Sequence, residues 1–292
     1  MYYSSVLVGG GGRSLLLAAQ SYSMTAPVVV FVLFVKKHRP LDHGRTMAAH
    51  FAMLVYALPE LLPVANDVEG LYDAHHFTAT SNWLVPQHVL LGDYPGPRAA
   101  IYPSEVVGGW ERDAQRDVER ARQRIGEICR AAKVNTFVQL QSELPPQDAW
   151  SPVPGDRTNE LAPYAADARA ACGGDVTFIH FPIDDFKTAN SLPALAELVH
   201  SLADRIRNGN VVYIHCLGGR GRTGLLAACL LGVLYDVSAE EALERVQAYF
   251  WTRFGRKEPT VTSPETEEQR EQVRAFFATH LTRQRMVPHD EV

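Results

Sequence analysis

His215-Cys216-Leu217-Gly218-Gly219-Arg220-Gly221-Arg222-Thr223-Gly224 places a thiol, a glycine-rich loop and two guanidinium groups within ten residues. Apolar residues suited to a buried strand, Val211 to Ile214, run into it, and an apolar stretch of helical type, Leu225 to Leu234, follows. A strand, a glycine loop and a helix N-terminus together make an anion site: backbone N–H groups point into the loop and the helix dipole adds partial positive charge. The field that binds a phosphate also stabilises S⁻, so a cysteine at the mouth of such a site is held as thiolate. The chemistry implied is phosphoryl transfer through a phosphocysteine.

The spacing has a physical reason. Five residues separate Cys216 from Arg222, and three of them are glycine, which tolerates positive φ and lets the backbone curl around an oxyanion. Arg222 offers a planar fork that matches two phosphoryl oxygens. Thr223 puts a hydroxyl at the helix start within reach of the sulfur, and Gly224 lets the helix pack closely. The other cysteines act as an internal control: six positions after Cys129, Cys172 and Cys229 stand Asn135, Phe178 and Tyr235. The competing reading is a buried cysteine beside a glycine turn with solvated arginines, but Gly-Gly-Arg-Gly-Arg has no packing purpose.

His215-Cys216-x5-Arg222-Thr223-Gly224 resembles the signature of the cysteine-dependent protein tyrosine and dual-specificity phosphatases. The resemblance covers about Asn82 to Leu281. It implies a phosphate-binding loop at Leu217, Gly218, Gly219, Arg220, Gly221 and Arg222, with Cys216 as nucleophile, and it implies that His215 orients this loop. Thr223 is expected to donate a hydrogen bond to the departing sulfur. Related phosphatases carry a general acid on a separate loop, often in Pro-x-x-Asp, which maps onto Pro182 and Asp185; Asp184 is the rival. Gln269, in Glu-Thr-Glu-Glu-Gln, resembles a glutamine that positions hydrolytic water in tyrosine phosphatases, and an ordinary surface glutamine is the preferred alternative. The chain lacks the Lys-Asn-Arg-Tyr string that deepens the pocket of tyrosine-specific relatives, so phosphoserine and phosphothreonine are expected substrates beside phosphotyrosine. Arg220 occupies a loop position where tensin-related phosphoinositide phosphatases carry a lysine, whereas Leu217 replaces their other loop lysine. A phosphoprotein substrate is therefore expected, with a phosphoinositide as the alternative. A rhodanese-like sulfurtransferase would not need Arg222-Thr223-Gly224 or an acid, and a pseudophosphatase would lack one of these groups.

These residues need elements to position them. Val89–Gly92, Val134–Leu140 and Thr177–Phe181 read as strands, the last broken at Pro182. Asp117–Ala132 and Leu192–Arg207 read as helices, the latter with Leu195, Leu198, Leu202 and Ile206 on one stripe. Ser238-Ala-Glu-Glu opens a helix to about Trp251, and Ser263-Pro264-Glu265 opens another with Ser263 at the cap. Ser142–Gly174 is a long polar stretch expected to border the substrate entrance, with Glu143 and Tyr164 as candidate anchors. The order indicates an α/β domain: a central, mostly parallel sheet flanked by helices, of the protein tyrosine phosphatase type, with an N-terminal extension.

With 292 residues, 46% of them apolar and 21% charged, the composition is that of a globular protein. The net charge of −5 argues against nucleic acid as a partner. No His/Cys cluster has zinc spacing, and the chemistry needs neither metal nor cofactor. Four cysteines without a pairing pattern suggest a reducing compartment. Residues 1–80 read as an extension, a leader or a partly disordered segment; 81–282 as the catalytic domain; 283–292 as a tail. No acidic residue precedes Asp42, so a cytoplasmic protein has an organelle-targeted one as its alternative. The apolar run Ala26–Val35 is too short to span a bilayer. Val8–Ser14 lacks the Lys-Ser/Thr of a nucleotide loop and reads as flexible. Met47–Leu62 is apolar enough for a helix.

Overall fold

A computed structural model describes residues 58–61, 69–98, 110–150 and 161–281, the side chains of 69 and 110–114 excepted, and the backbone of four N-terminal strands. The expected tail at 283–292 lies outside the described residues. The chain divides into two units, residues 1–61 with 207–209, and the remainder.

The first unit is an antiparallel sheet of β1 (Tyr3–Gly10), β2 (Arg13–Gln20), β3 (Val29–Val35) and β4 (Ala52–Tyr56), in that order. Gly10 lies opposite Arg13, and the apolar run Val29–Val35 pairs with β2. The helix expected over Met47–Leu62 is corrected between Ala52 and Tyr56, where a strand pairs Ala52 with Leu33. Apolar content alone does not separate helix from strand, and Val55-Tyr56 favours the pleat.

The second unit carries the site. Helix α1 (Glu69–His75) leads into a six-stranded sheet in the order β5-β6-β7-β10-β8-β9, formed by β5 (His76–Thr78), β6 (Ser81–Val85), β7 (Val89–Gly92), β8 (Thr136–Gln141), β9 (Thr177–Ile183) and β10 (Val212–His215). β7, β10, β8 and β9 run parallel, and β5 and β6 are added antiparallel at one edge. All four residues of β10 are buried, as a strand covered on both faces requires. Around the sheet lie α2 (Trp110–Arg130), α3 (Ala165–Cys172), α4 (Leu192–Arg207), α5 (Gly221–Tyr235), α6 (Ala239–Trp251) and α7 (Glu267–Phe276). Leu90, Ile125, Ile128, Phe137, Tyr164 and Tyr213 belong to one buried cluster beneath the parallel strands.

Helix α5 is buried from Gly221 to Gly232 on every side. It is an interior helix, and Leu225, Leu226, Leu230 and Leu231 each stabilise it by roughly 1.5–3 kcal/mol through removal of apolar surface from water. Its approach to the Ser263-Pro264 segment depends on Gly224, where any Cβ would collide with the Ser263 hydroxyl.

Five departures from the sequence reading have physical causes. β9 continues through Pro182 to Ile183, because it is an edge strand and the exposed proline needs no ladder donor there. The stretch Ser142–Gly174 contains α3, closed by Gly173 at φ 69°. Helix α7 begins after Thr266, not at Ser263: the Ser263 hydroxyl donates to the Arg220 carbonyl, while Thr266 and Gln269 form the capping box. Cys129 and Cys172 form a disulfide, so the cysteine content no longer argues for a reducing compartment. Packing of α2 against α3 brings their Cα atoms to 4.6 Å, a proximity that a separation of 43 positions in sequence conceals. On α4, Val199 and not Leu198 completes the buried stripe.

Candidate active site

Cys216 follows the last residue of β10 and is 3% exposed. The loop after it is held by its surroundings before any ligand enters. Tyr94 N–H donates to the Leu217 carbonyl at 3.0 Å. Gly219 sits at φ 61° with its Cα against the Gly92 carbonyl, so a side chain there would be both strained and blocked. Gly221 starts α5, directing its N-terminus into the loop. A cleft of about 220 Å³ joins Cys216, Leu217, Gly218, Arg220, Gly221 and Arg222 to Asp185, Phe186, Glu265 and Gln269.

Among the described residues Arg222 is the largest fully buried side chain, 1% exposed. Its Nη1 and Nη2 donate to the two carboxylate oxygens of Glu143 at 2.7 and 3.0 Å, and Nη1 donates to the Ile183 carbonyl at 3.1 Å. Asp185 Oδ1 stands 3.0 Å from Nη2. Burial opposes the charge, but the Glu143 bonds and the nearby sulfur and carboxylates outweigh it and hold the pKa above the usual arginine range. The guanidinium is therefore fixed in place and permanently positive.

The two aspartates separate. Asp185 borders the cleft with Cys216, whereas Asp184 borders only the neighbouring cavity of about 470 Å³, with Ser142, Glu143, Leu161, Asp185 and Leu217. Phe186, the next residue after Asp185, also borders the cleft, has φ 59° and is 56% exposed. The tight turn is closed by Lys187 N–H donating to the Asp184 carbonyl at 3.0 Å.

His215 is fully buried, and burial drives its pKa down to about 3, so the ring is neutral. Its Nε2 meets the Tyr164 hydroxyl at 2.6 Å and its Nδ1 faces the Cys216 carbonyl at 3.4 Å. Thr223 is buried, and its hydroxyl makes no hydrogen bond among the described residues, to Cys216 or to any other group. A buried donor left unsatisfied costs about 1–3 kcal/mol. Gln269 is corrected from surface residue to buried one: Oε1 accepts from Glu265 and Thr266 N–H groups at 3.0 and 3.2 Å, and Nε2 donates to the Lys187 carbonyl at 3.0 Å. It thereby ties α7 to the Asp185 turn. Arg220 turns toward Glu265, 2.8 Å away, and donates to the Thr262 carbonyl at 2.7 Å.

Sequence reasoning placed Glu143 and Tyr164 only as loop anchors, and missed Arg253 and Asn82, which meet beneath the loop. Their signals are long-range contacts, invisible to local patterns. Among the described residues no group of three or more metal-ligating side chains occurs, and no helix is long and apolar enough to cross a membrane.

The fold and the loop define a phosphatase domain of the dual-specificity and tyrosine phosphatase class. The sequence model of the family described as PTP-SAK, Swiss Army Knife protein, DSP-PTPase phosphatase domain, matches residues 112–284, more than half of the chain, and the chain belongs to that family. It is 31% identical over 116 residues to the 067L protein of Invertebrate iridescent virus 3, provisionally named a tyrosine phosphatase, covering 36% of this chain and 46% of that protein. It is 33% identical over 94 residues to human Cyclin-dependent kinase inhibitor 3, covering 32% of this chain and 43% of that protein. The chain thus spans less than half the length of these curated relatives. The solved structure of Tk-PTP in its active form aligns with a TM-score of 0.44 and 23% identity, over 68% of this chain and 97% of that one.

Proposed function

We propose that this domain hydrolyses phosphomonoesters of proteins, phosphotyrosine foremost and phosphoserine or phosphothreonine beside it, through a cysteinyl-phosphate intermediate. The observation that carries the reading is the convergence of Cys216, Arg222 and Asp185 on one cleft. The phosphate enters the loop, where backbone N–H groups and Arg222 bind its oxygens. The Cys216 thiolate attacks phosphorus in line; the S–P bond forms as the bond to the ester oxygen breaks. Asp185 gives its proton to that leaving oxygen. In the second step water attacks phosphorus, Asp185 takes a proton from it, and sulfur departs as thiolate with the loop field stabilising it. The free hydroxyl of Thr223, one residue after Arg222, supplies a donor for this departure. Neutral His215, held by Tyr164, fixes the backbone that precedes the loop and takes no part in proton transfer.

A protein substrate is favoured over a phosphoinositide by charge. Arg220, the cation on which a polyanionic substrate would rest, is committed to Glu265 and Thr262. Beside the cleft, Glu143, Asp184 and Asp185 border the larger cavity, which would repel further phosphate groups.

Phosphate release from a phosphotyrosine peptide, a phosphoserine peptide and phosphoinositide vesicles tests the reading. The phosphotyrosine peptide is expected to exceed the vesicles by roughly tenfold or more in kcat/KM, a margin of about 1.4 kcal/mol. Preference for the vesicles would overturn the substrate assignment. Absence of release from every ester would overturn the activity.

A further inference from the structure

Arg253 lies in the short turn Thr252–Phe254 that follows α6, and no motif points to it. Its side chain runs inward and only 7% of the residue is exposed. Nε donates to Asn82 Oδ1 on β6 at 2.7 Å, Nη1 to the Gly218 carbonyl at 3.4 Å and Nη2 to the Gly219 carbonyl at 3.2 Å. All three acceptors are neutral oxygens. Burial lowers the Arg253 pKa to about 10, against the opposing influence of Tyr213, Asp93 and Cys216, so it remains charged at neutral pH. Burying a cation is costly without compensation.

The geometry says what this cation does. The Gly218–Gly219 and Gly219–Arg220 peptide bonds are trans, and a trans peptide points its C=O and N–H in opposite directions. Drawing the Gly218 and Gly219 carbonyls toward Arg253 therefore turns the N–H groups of Gly219 and Arg220 the other way. Arg253 does not border the cleft, whereas Gly218 and Arg220 do. The freed N–H groups thus face the side on which Cys216 and Arg222 lie. Gly219, at φ 61° and without a side chain, is the point where these two planes rotate most freely, and one fork holds both.

We propose that Arg253 is a positioning residue of the phosphate loop: its fork, aimed by Asn82, sets the two peptide planes flanking Gly219 so that their N–H groups meet phosphoryl oxygens. Arg253 touches no substrate itself. The proposal rests on the phosphatase reading above.

The test uses the full chain and two readouts, inorganic phosphate binding by calorimetry and steady-state hydrolysis of p-nitrophenyl phosphate. Arg253→Met keeps the stem and removes the fork. It is expected to weaken phosphate binding roughly tenfold or more and to raise KM by a similar factor, with a smaller change in kcat. Arg253→Lys keeps the charge but cannot bridge two carbonyls, so it restores only part of the affinity. Asn82→Ala leaves Arg253 in place but unaimed, and is expected to act in the same direction, less strongly. A purely structural role would lower the melting temperature and the active fraction while leaving phosphate affinity of the folded protein unchanged. Wild-type affinity in folded Arg253→Met would overturn the proposal; should that variant not fold, wild-type affinity in Arg253→Lys and Asn82→Ala would do so. Failure of the wild-type protein to bind phosphate at all would overturn the phosphatase reading with it, so the two failures are distinct.

Discussion

Glu143 grips Arg222 with both carboxylate oxygens, at 2.7 and 3.0 Å, from 79 residues away in the chain. The pair joins the end of the β8 segment to the start of α5, and it sets the plane of the guanidinium. Glu143→Gln keeps the shape but turns an amide donor against a guanidinium donor. Charge-assisted bonds are worth about 1.5–3 kcal/mol, so kcat/KM for an aryl phosphate is expected to fall roughly tenfold to a hundredfold. Unchanged kinetics in Glu143→Gln would mean that Arg222 needs no anchor.

Asp185 borders the cleft with Cys216 and stands 3.0 Å from Arg222, while Asp184 does neither. Asp185→Ala is expected to lower kcat about a hundredfold on an ester with a poor leaving group, and Asp184→Ala by less than about tenfold. The difference should shrink when the leaving group needs no proton. The opposite ranking in rapid-quench turnover would move the acid to Asp184.

Phe186 carries two costs in one residue, a left-handed φ of 59° and a side chain 56% exposed at the cleft mouth. Such strain, of order 1 kcal/mol, tends to gather at functional sites. A ring at this lip suits an aryl ester. Phe186→Ala is expected to raise KM for phosphotyrosine peptide roughly threefold to tenfold, the worth of one aromatic pair, and to leave phosphoserine peptide nearly unchanged. Equal effects on both would remove Phe186 from substrate discrimination.

The disulfide Cys129–Cys172 closes a loop of 43 residues. On the chain-entropy account such a bridge stabilises by about 4 kcal/mol. Urea unfolding of the Cys129→Ala/Cys172→Ala protein should show a loss of that order. A loss below about 1 kcal/mol would show that packing of α2 on α3 suffices without it.

The loop after Cys216 was legible because its chemistry is contiguous: Cys216 to Gly224 carries strand end, glycines, fork and helix start in one string. The flanking elements were legible through periodicity, as at β7 and α4, whose bounds match the pattern. What escaped was set by contacts between distant segments. Gln269 looks like a surface residue in an acidic run, yet a capping box draws it inward to Lys187. Tyr164 sits in a polar stretch, and only the fold shows its hydroxyl on His215. Pro182 reads as a strand break until β9 proves to be an edge. Arg253 follows α6 with no motif around it, and its role depends on carbonyls 34 and 35 residues earlier.

Cys216 is expected to carry the phosphoryl group during turnover. Acid quench of the protein in the steady state with an aryl phosphate, followed by intact-mass and peptide mapping, tests it most directly. One phosphoryl group is expected on the peptide that contains Cys216, and none, with no phosphate release, in Cys216→Ser. Release of phosphate by Cys216→Ser at the wild-type rate, or a phosphoryl group on another residue, would contradict it.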